Sequence, residues 1–287
     1  MNKYDTLGHD LCAMVADDAI CVGAEVISIT NTVDVPFIHQ SALNDLTKGL
    51  SEICQQEKIV IPGGEIAELS SALNGMVWNA TAVGVVEKDH YLTGDKVVSG
   101  DVIIGLKGRV LRSNGTSLAR KICEKHFGED WHLAEWKDGI SWGEVLLTPS
   151  KLYHRLILDT LLGGFKETPR FDIHGIVHIT GGGIPGNVPR ILPKGLGARF
   201  ENLHSPHPAL QDLKELENLE DKECYRTWHS GAALMVVVAK KDADEVIQVL
   251  NDKDPEVEAQ IVGQINDTNT IELISKYSET MVSFPRD

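Results

Sequence analysis

The sequence predicts a mixed α/β protein, α+β in places, built as two lobes, and three observations carry that prediction. At 287 residues the chain exceeds the size, about 250 residues, at which a single hydrophobic core stops growing. Runs of β-branched residues alternate with stretches of helical period, and few hairpin signals separate them. Turn residues gather in "HYLTGDKVVSGDVIIGL" ahead of a new apolar run, which divides the chain into a lobe of residues 1–96 and a lobe of residues 97–287.

In the first lobe, residues 8–24 set Leu11, Met14 and Val15, then Ala19 and Val22, along one side of a helix. "AEVISITNTV" follows as a buried strand, and residues 41–57 form a second amphipathic helix through Leu43, Leu46, Leu50 and Ile53. "KIVIPGGE" predicts a short strand entering a glycine turn, and "MVWNATAVGVVEK" a strand rich in β-branched residues. The second lobe opens with a strand at residues 101–106. "LRSNGTSLARKICEKHF" then reads as a loop entering a helix capped by Ser113 or Asn114, and "TPSKLYHRLILDTLL" as a helix with Pro149 near its first turn. The order closes with the strand "GIVHITGGG", a helix on "IPGNVPRIL", the strand "GARFEN", the helix "ALQDLKELENL", the strand "AALMVVVAK", the helix "DADEVIQVLND" and a strand around "AQIVGQI".

Composition narrows the function. Lys and Arg total 27 against 42 Asp and Glu, a formal charge of −15, with no basic cluster to track a phosphate backbone, so nucleic acid is not an expected partner. No apolar run approaches the roughly 20 residues of a membrane span. The start "MNKYDTLGHDLCAM" carries no export or organelle signal. Cys12, Cys21, Cys54, Cys123 and Cys224 are odd in number and follow no CxxC pattern, which fits small buried hydrophobes in a reducing cytoplasm.

Several stretches can carry chemistry. Asp17 and Asp18 stand on an otherwise small, apolar helix about 100° apart, so only one faces a given site. Such carboxylates need a metal, a hydrogen-bond cluster or the solvated end of a helix. "IPGGEIAELS" places Glu65 and Glu68 three apart; on a helix after Gly64 they share a face and can hold Mg²⁺ together with Asp18, although acidic residues also suit a helix start. "LRSNGTSLARK" leads into a helix whose free amides can receive phosphate, as any capped helix can. Most informative is "IVHITGGGIPGNVPRILP", residues 176–193. Its three glycines let backbone amides approach an anion and Thr180 adds a hydroxyl, while Asn187 and Arg190 lie three apart on the next helix, facing back toward the loop. Neither a Walker motif nor a dinucleotide fingerprint is present. Arg226 suits phosphate and His229 proton transfer, although a lone Arg or His in such a place is more often a structural hydrogen-bonding residue.

In this order, "GHDLCAMVADD", "GGEIAE", "GVVEK", "GDVIIGL", "SNGTSLARKI", "HITGGGIPGNVPRILP" and "YRTWHSG" resemble the aminoimidazole ribonucleotide synthetase family, also called phosphoribosylformylglycinamidine cyclo-ligase, over nearly the whole chain. The family patterns concerned are G-x-D-L-x-A-M-x-x-N-D, G-G-E-T-A-E, H-S-N-G-[YF]-S-L-x-R-K and H-[IL]-T-G-G-G-x-x-x-N-[IV]-P-R. The resemblance implies a two-lobed fold whose N-terminal lobes bind ATP and pair in a homodimer through a shared β-barrel. It implies an ATP- and Mg²⁺-dependent ring closure of a small molecule, formylglycinamidine ribonucleotide, in cytoplasmic purine biosynthesis. By matching position it implies Asp18 and Glu65 at the metal; Gly64, Glu65, Asn114, Gly181, Gly182, Gly183 and Arg226 at nucleotide and substrate phosphates; and His178, Thr180 and Asn187 at the ring-closing centre.

The chain also departs from the family pattern. The block D-G-V-G-T-K expected ahead of Gly8 has no counterpart in the seven residues before it, so Met1 is expected to be an internal methionine of a longer product. Asp17 stands for Asn, Ile66 for Thr, Arg112 for the His before Ser-Asn-Gly, and Trp228, His229 and Ser230 for Phe-Asn-Cys. These changes keep two alternatives open: another ATP-using kinase or synthetase of the same superfamily, and an inactive homologue.

Overall fold

The computed structural model describes residues 1–286. The first lobe lays α1 (Leu7–Ile20) and α2 (Gln40–Gln56) on one face of a three-stranded sheet of order β2-β1-β3, formed by β1 (Glu25–Val35), β2 (Gly64–Glu68) and β3 (Val77–Val85). Along β1 the buried side chains are Val26, Ile29, Val33 and Val35; a register shift between Val26 and Ser28 explains the step of three that interrupts the alternation. β1 pairs with β2 in parallel and with β3 antiparallel. Thr32 stands between Glu65 and Asn79 on the face turned away from the helices, and Ile27, Val77 and Val83 are exposed. Within one chain this is an open sheet, not a closed barrel.

The second lobe is a seven-stranded sheet of order β12-β11-β8-β10-β4-β9-β7. Its strands are β4 (Val102–Lys107), β7 (Ile173–His178), β8 (Gly197–Phe200), β9 (Ala232–Val238), β10 (Gln260–Asn266), β11 (Thr270–Ile274) and β12 (Met281–Pro285). Every residue of β9 is buried, because the strand is covered on both faces. Leu234, Val236 and Val238 meet α9 (Ala243–Lys253) and the helical segment of α5 (His154–Ile157) and Leu158–Leu162. Met235 and Val237 enter a second core with Ile184 of α6 (Gly183–Asn187) and Tyr225 of α8 (Asp221–Thr227). A third core joins α3 (Thr116–Phe127) and α7 (Pro208–Glu217) to α4 (Trp142–Leu146), which follows a small hairpin of β5 (Glu135–Lys137) and β6 (Ile140–Ser141).

Four expectations are corrected. The segment after Gly64 is a strand, taken up by the open edge of β1, so Glu65 and Glu68 alternate to opposite faces of β2. The helix expected from Pro149 starts at His154, because the first lobe holds residues 150–154 by their backbone and side chains, as described below. α3 is preceded by Gly115 in a left-handed conformation, φ 79°, without a side-chain cap, while the Ser113 hydroxyl turns to the Asp10 carbonyl. "KIVI" contributes a single bridge, Ser28 to Val60, instead of a strand. All five cysteines are free thiols, four of them buried.

Candidate active site

Asp10 and Asp17 are seven residues apart on α1, almost two full turns, so they share a face, and that face docks against the second lobe. Asp10 Oδ1 accepts hydrogen bonds from the Ser150 amide at 3.1 Å and from the Ser150 hydroxyl. Burial raises the pKa of Asp10, opposed by those two bonds. Asp17 is fully buried. Its Oδ1 accepts from the amides of Tyr153 at 3.0 Å and His154 at 2.9 Å, and its Oδ2 accepts from Arg112 Nη2 at 2.7 Å. Arg112 Nη1 donates to the Lys151 carbonyl at 2.9 Å, and the guanidinium lies 5.5 Å from the Tyr153 ring centroid. His154 Nε2 accepts from the Val26 amide at 2.9 Å, so its proton is on Nδ1, which donates to Glu57 Oε2 at 3.2 Å.

Asp18, rotated around α1, reaches the other side. Its side chain is 68% exposed and Oδ1 meets His178 Nδ1 at 2.8 Å, at the end of β7. His178 is buried, and its Nε2 has no partner among the described residues.

The glycine run follows directly. Gly182 and Gly183 adopt φ of 95° and 60°, and a Cβ on Gly183 would stand 1.8 Å from the Tyr225 carbonyl oxygen, so only glycine lets α8 pack here. Asn187, 1% exposed, holds the loop from inside: Nδ2 donates to the carbonyls of Gly183 at 2.7 Å, Gly181 at 3.3 Å and Thr180 at 3.4 Å, and Oδ1 accepts from the Thr180 hydroxyl at 3.3 Å. Gly181 and Gly182 remain exposed. Asn114 faces them, since a Cβ on Gly181 would lie 3.3 Å from Asn114 Oδ1. Trp228 braces the Asn114 turn, with Nε1 donating to the Gly115 carbonyl at 3.2 Å.

His229, next in sequence after Trp228, is buried against Gly108. Its Nδ1 accepts from the Gly231 amide at 3.1 Å, which puts the proton on Nε2; that nitrogen lies toward the Val110 carbonyl without closing a hydrogen bond. Burial, then the Arg112 charge, pushes its pKa down to about 3 from 6.5. A base whose folded pKa is depressed lends the fold stability that is intact above pH 6.5 and is lost as pH falls toward 3. His229→Asn is therefore expected to flatten the decline of Tm between pH 6.5 and 4, measured by scanning calorimetry; an unchanged slope contradicts the neutral imidazole.

The structure thus brings together Asp18, Asn114, His178, Thr180, the three glycines and Asn187. It does not bring in Glu65, which sits on the sheet face opposite α1 with Gly64 at the strand's start, nor the Arg226 guanidinium, which lies 5.4 Å from the Phe284 ring centroid. Arg190 is exposed on the turn after α6, and does not share the inward orientation of Asn187. No group of three or more His, Cys, Asp or Glu side chains is arranged to hold a metal among the described residues. Asp18 Oδ2 has no hydrogen-bond partner among the described residues, which suits a cation held mainly by phosphate and water. Sequence reasoning missed the roles of Asp10, Ser150 and Tyr153; the seven-residue spacing of Asp10 and Asp17 in an apolar helix was the available signal.

The fold is a mixed, two-lobed α/β architecture that sets a glycine loop at a strand end, facing a second turn and a carboxylate. The chain matches the N-terminal domain model of AIR synthase related proteins over residues 1–86 and the C-terminal domain model over residues 98–276, and it belongs to that family. It is 34% identical over 271 residues to a phosphoribosylformylglycinamidine cyclo-ligase of Methanocaldococcus jannaschii, covering 93% of this chain and 73% of the relative. Another protein of that name, from Acetivibrio thermocellus, is 35% identical over 271 residues, 92% of this chain and 76% of the relative. Among solved structures, the hydrogenase maturation protein HypE in complex with ATP superposes with a TM-score of 0.69 at 14% identity, over 98% of this chain and 79% of the other. No helix among the described residues is long and apolar enough to cross a membrane.

Proposed function

We propose that this chain is an ATP-dependent cyclo-ligase that closes formylglycinamidine ribonucleotide to aminoimidazole ribonucleotide, with ADP and phosphate as the other products, in the cytoplasm. The observation that carries the reading is the exposed Gly181–Gly182 backbone, locked from behind by Asn187 and faced by Asn114, with Asp18 and His178 at its edge. The γ-phosphoryl group of ATP passes to the formyl oxygen, the amidine nitrogen attacks the activated carbon, and the C–O bond breaks to release phosphate. Phosphorylation turns a poor oxygen leaving group into a good one, so the protein mostly positions the reactants and neutralises charge.

In this reading the glycine amides and Asn114 hold phosphate oxygens, with Thr180 adding its hydroxyl. His178 Nδ1 engages Asp18 and orients its carboxylate beside the loop, and the proton the amidine nitrogen loses leaves on the departing phosphate. Mg²⁺, when bound, would offset phosphate charge, and the free Asp18 oxygen is the group placed to hold it. Glu65 and Arg226 have no part within one protomer. Homodimerisation is proposed through the uncovered face of the first sheet, where Ile27, Val77 and Val83 are exposed.

The test is ADP release together with appearance of the aminoimidazole product from formylglycinamidine ribonucleotide and ATP·Mg²⁺. Both are expected. ADP release that requires a different substrate would replace this reading with the superfamily-kinase one.

A further inference from the structure

The ion pair of Asp17 and Arg112 joins the two lobes at the point where each delivers a residue to the site. Asp17 immediately precedes Asp18 on α1, and Arg112 stands two residues before Asn114. Both side chains are nearly inaccessible, at 0% and 5%, and their bonds reach the same short segment, Lys151 to His154. Slack between them therefore moves Asp18 relative to Asn114 and the glycine loop. The structure places the two charges in direct contact, Arg112 Nη2 to Asp17 Oδ2 at 2.7 Å. Neutralising one partner alone would bury an uncompensated charge, whereas neutralising both would not. His229 lies near enough for the Arg112 charge to help keep it unprotonated.

We propose that Asp17 and Arg112 are a matched pair of positioning residues, specified together, that sets the spacing between Asp18 on one lobe and the Asn114 turn and glycine loop on the other. The pair touches no substrate; it acts through Asp18 and Asn114, and this role rests on the cyclo-ligase reading of the site. Arg112 is suited to it because its planar fork bonds the carboxylate and a carbonyl at once, which an ammonium does not reproduce in the same geometry.

The experiment compares the full chain with Asp17→Asn, Arg112→His, the double variant carrying both, and Arg112→Lys, each assayed well below its own Tm. Two readouts are taken: KM and kcat with formylglycinamidine ribonucleotide and ATP·Mg²⁺, and amide hydrogen exchange over residues 113–115 and 181–183. Each single change is expected to lose up to about 100-fold in kcat/KM and to speed exchange in both segments, with the double variant recovering most of both. Arg112→Lys keeps the charge and tests geometry in a variant expected to fold; it should raise KM while Tm stays near wild type. If Tm falls in the single variants while kinetics and exchange match wild type, or if the double variant is no better than the worse single one, the proposal is overturned. Should wild type not turn over this substrate, the cyclo-ligase reading fails. The exchange comparison then decides the matched pair by itself: faster exchange reversed in the double variant upholds it, and unchanged exchange refutes it.

Discussion

Asn187→Ala is expected to cost about 100-fold in kcat/KM for ATP, because it removes the support that shapes the glycine loop while leaving the loop sequence intact. The Asn187 amide satisfies carbonyls of Thr180, Gly181 and Gly183 and its oxygen receives the Thr180 hydroxyl, all from a position 1% exposed. Alanine brings no donor; the Thr180 carbonyl keeps the Gly183 amide, but the Gly181 and Gly183 carbonyls lose the side chain that held them. The stability cost is about 1–3 kcal/mol. Asn187→Asp preserves the acceptor for Thr180 but turns a carboxylate oxygen toward the carbonyls the amide once served, and is expected to be the more damaging change. Steady-state ADP release and calorimetric ATP binding read both variants. Wild-type affinity in Asn187→Ala would mean the loop holds its shape without the buttress, and the site model built on it would fall.

The glycine run, the Asn114 turn and Asp18 were legible in the sequence because each depends on local chemistry: small residues at a strand end, a Ser-Asn-Gly turn, a carboxylate on a helix. What sequence reasoning misplaced depends on partners distant along the chain. Whether residues 64–68 become helix or strand is decided by the unpaired edge of β1, more than 30 residues upstream in register, with Asn31 opposite Gly64. The late start of α5 follows from Asp17, whose bonds to the Tyr153 and His154 amides span 136 and 137 residues. Likewise, the spacing of Asn187 and Arg190 suggested one shared face, but the carbonyls of the glycine loop claimed Asn187 for the interior. The sequence put Asp18 at the site; what it did not show is the part of Asp17, which the docking of the lobes commits to Arg112 and the Tyr153 and His154 amides.

Gly8→Ala is expected to damage both fold and site from a position that touches no ligand. A Cβ there would lie 2.1 Å from the Leu50 amide nitrogen and 2.5 Å from the Gly49 carbonyl carbon, where α1 crosses α2. Alanine improves helix propensity by about 1 kcal/mol over glycine, which by itself would stabilise α1. The obstruction is backbone, however, and no rotamer change relieves it, so the helices must separate. Overpacking of this kind costs about 1–3 kcal/mol and sometimes more, and here it outweighs the propensity gain. Because α1 is a rigid rod carrying Asp10, Asp17 and Asp18, its displacement also strains the bonds to Ser150 and Arg112 and shifts Asp18 relative to His178. Gly63→Ala is the control: nothing stands within 4 Å of a Cβ at that exposed position, so it should be neutral or slightly stabilising. Denaturant melts of the two variants, with kcat measured below each transition, should separate them clearly. Equal stability would mean that the α1–α2 crossing yields more readily than its backbone contacts imply, and α1 could not then be the rigid element that carries the site.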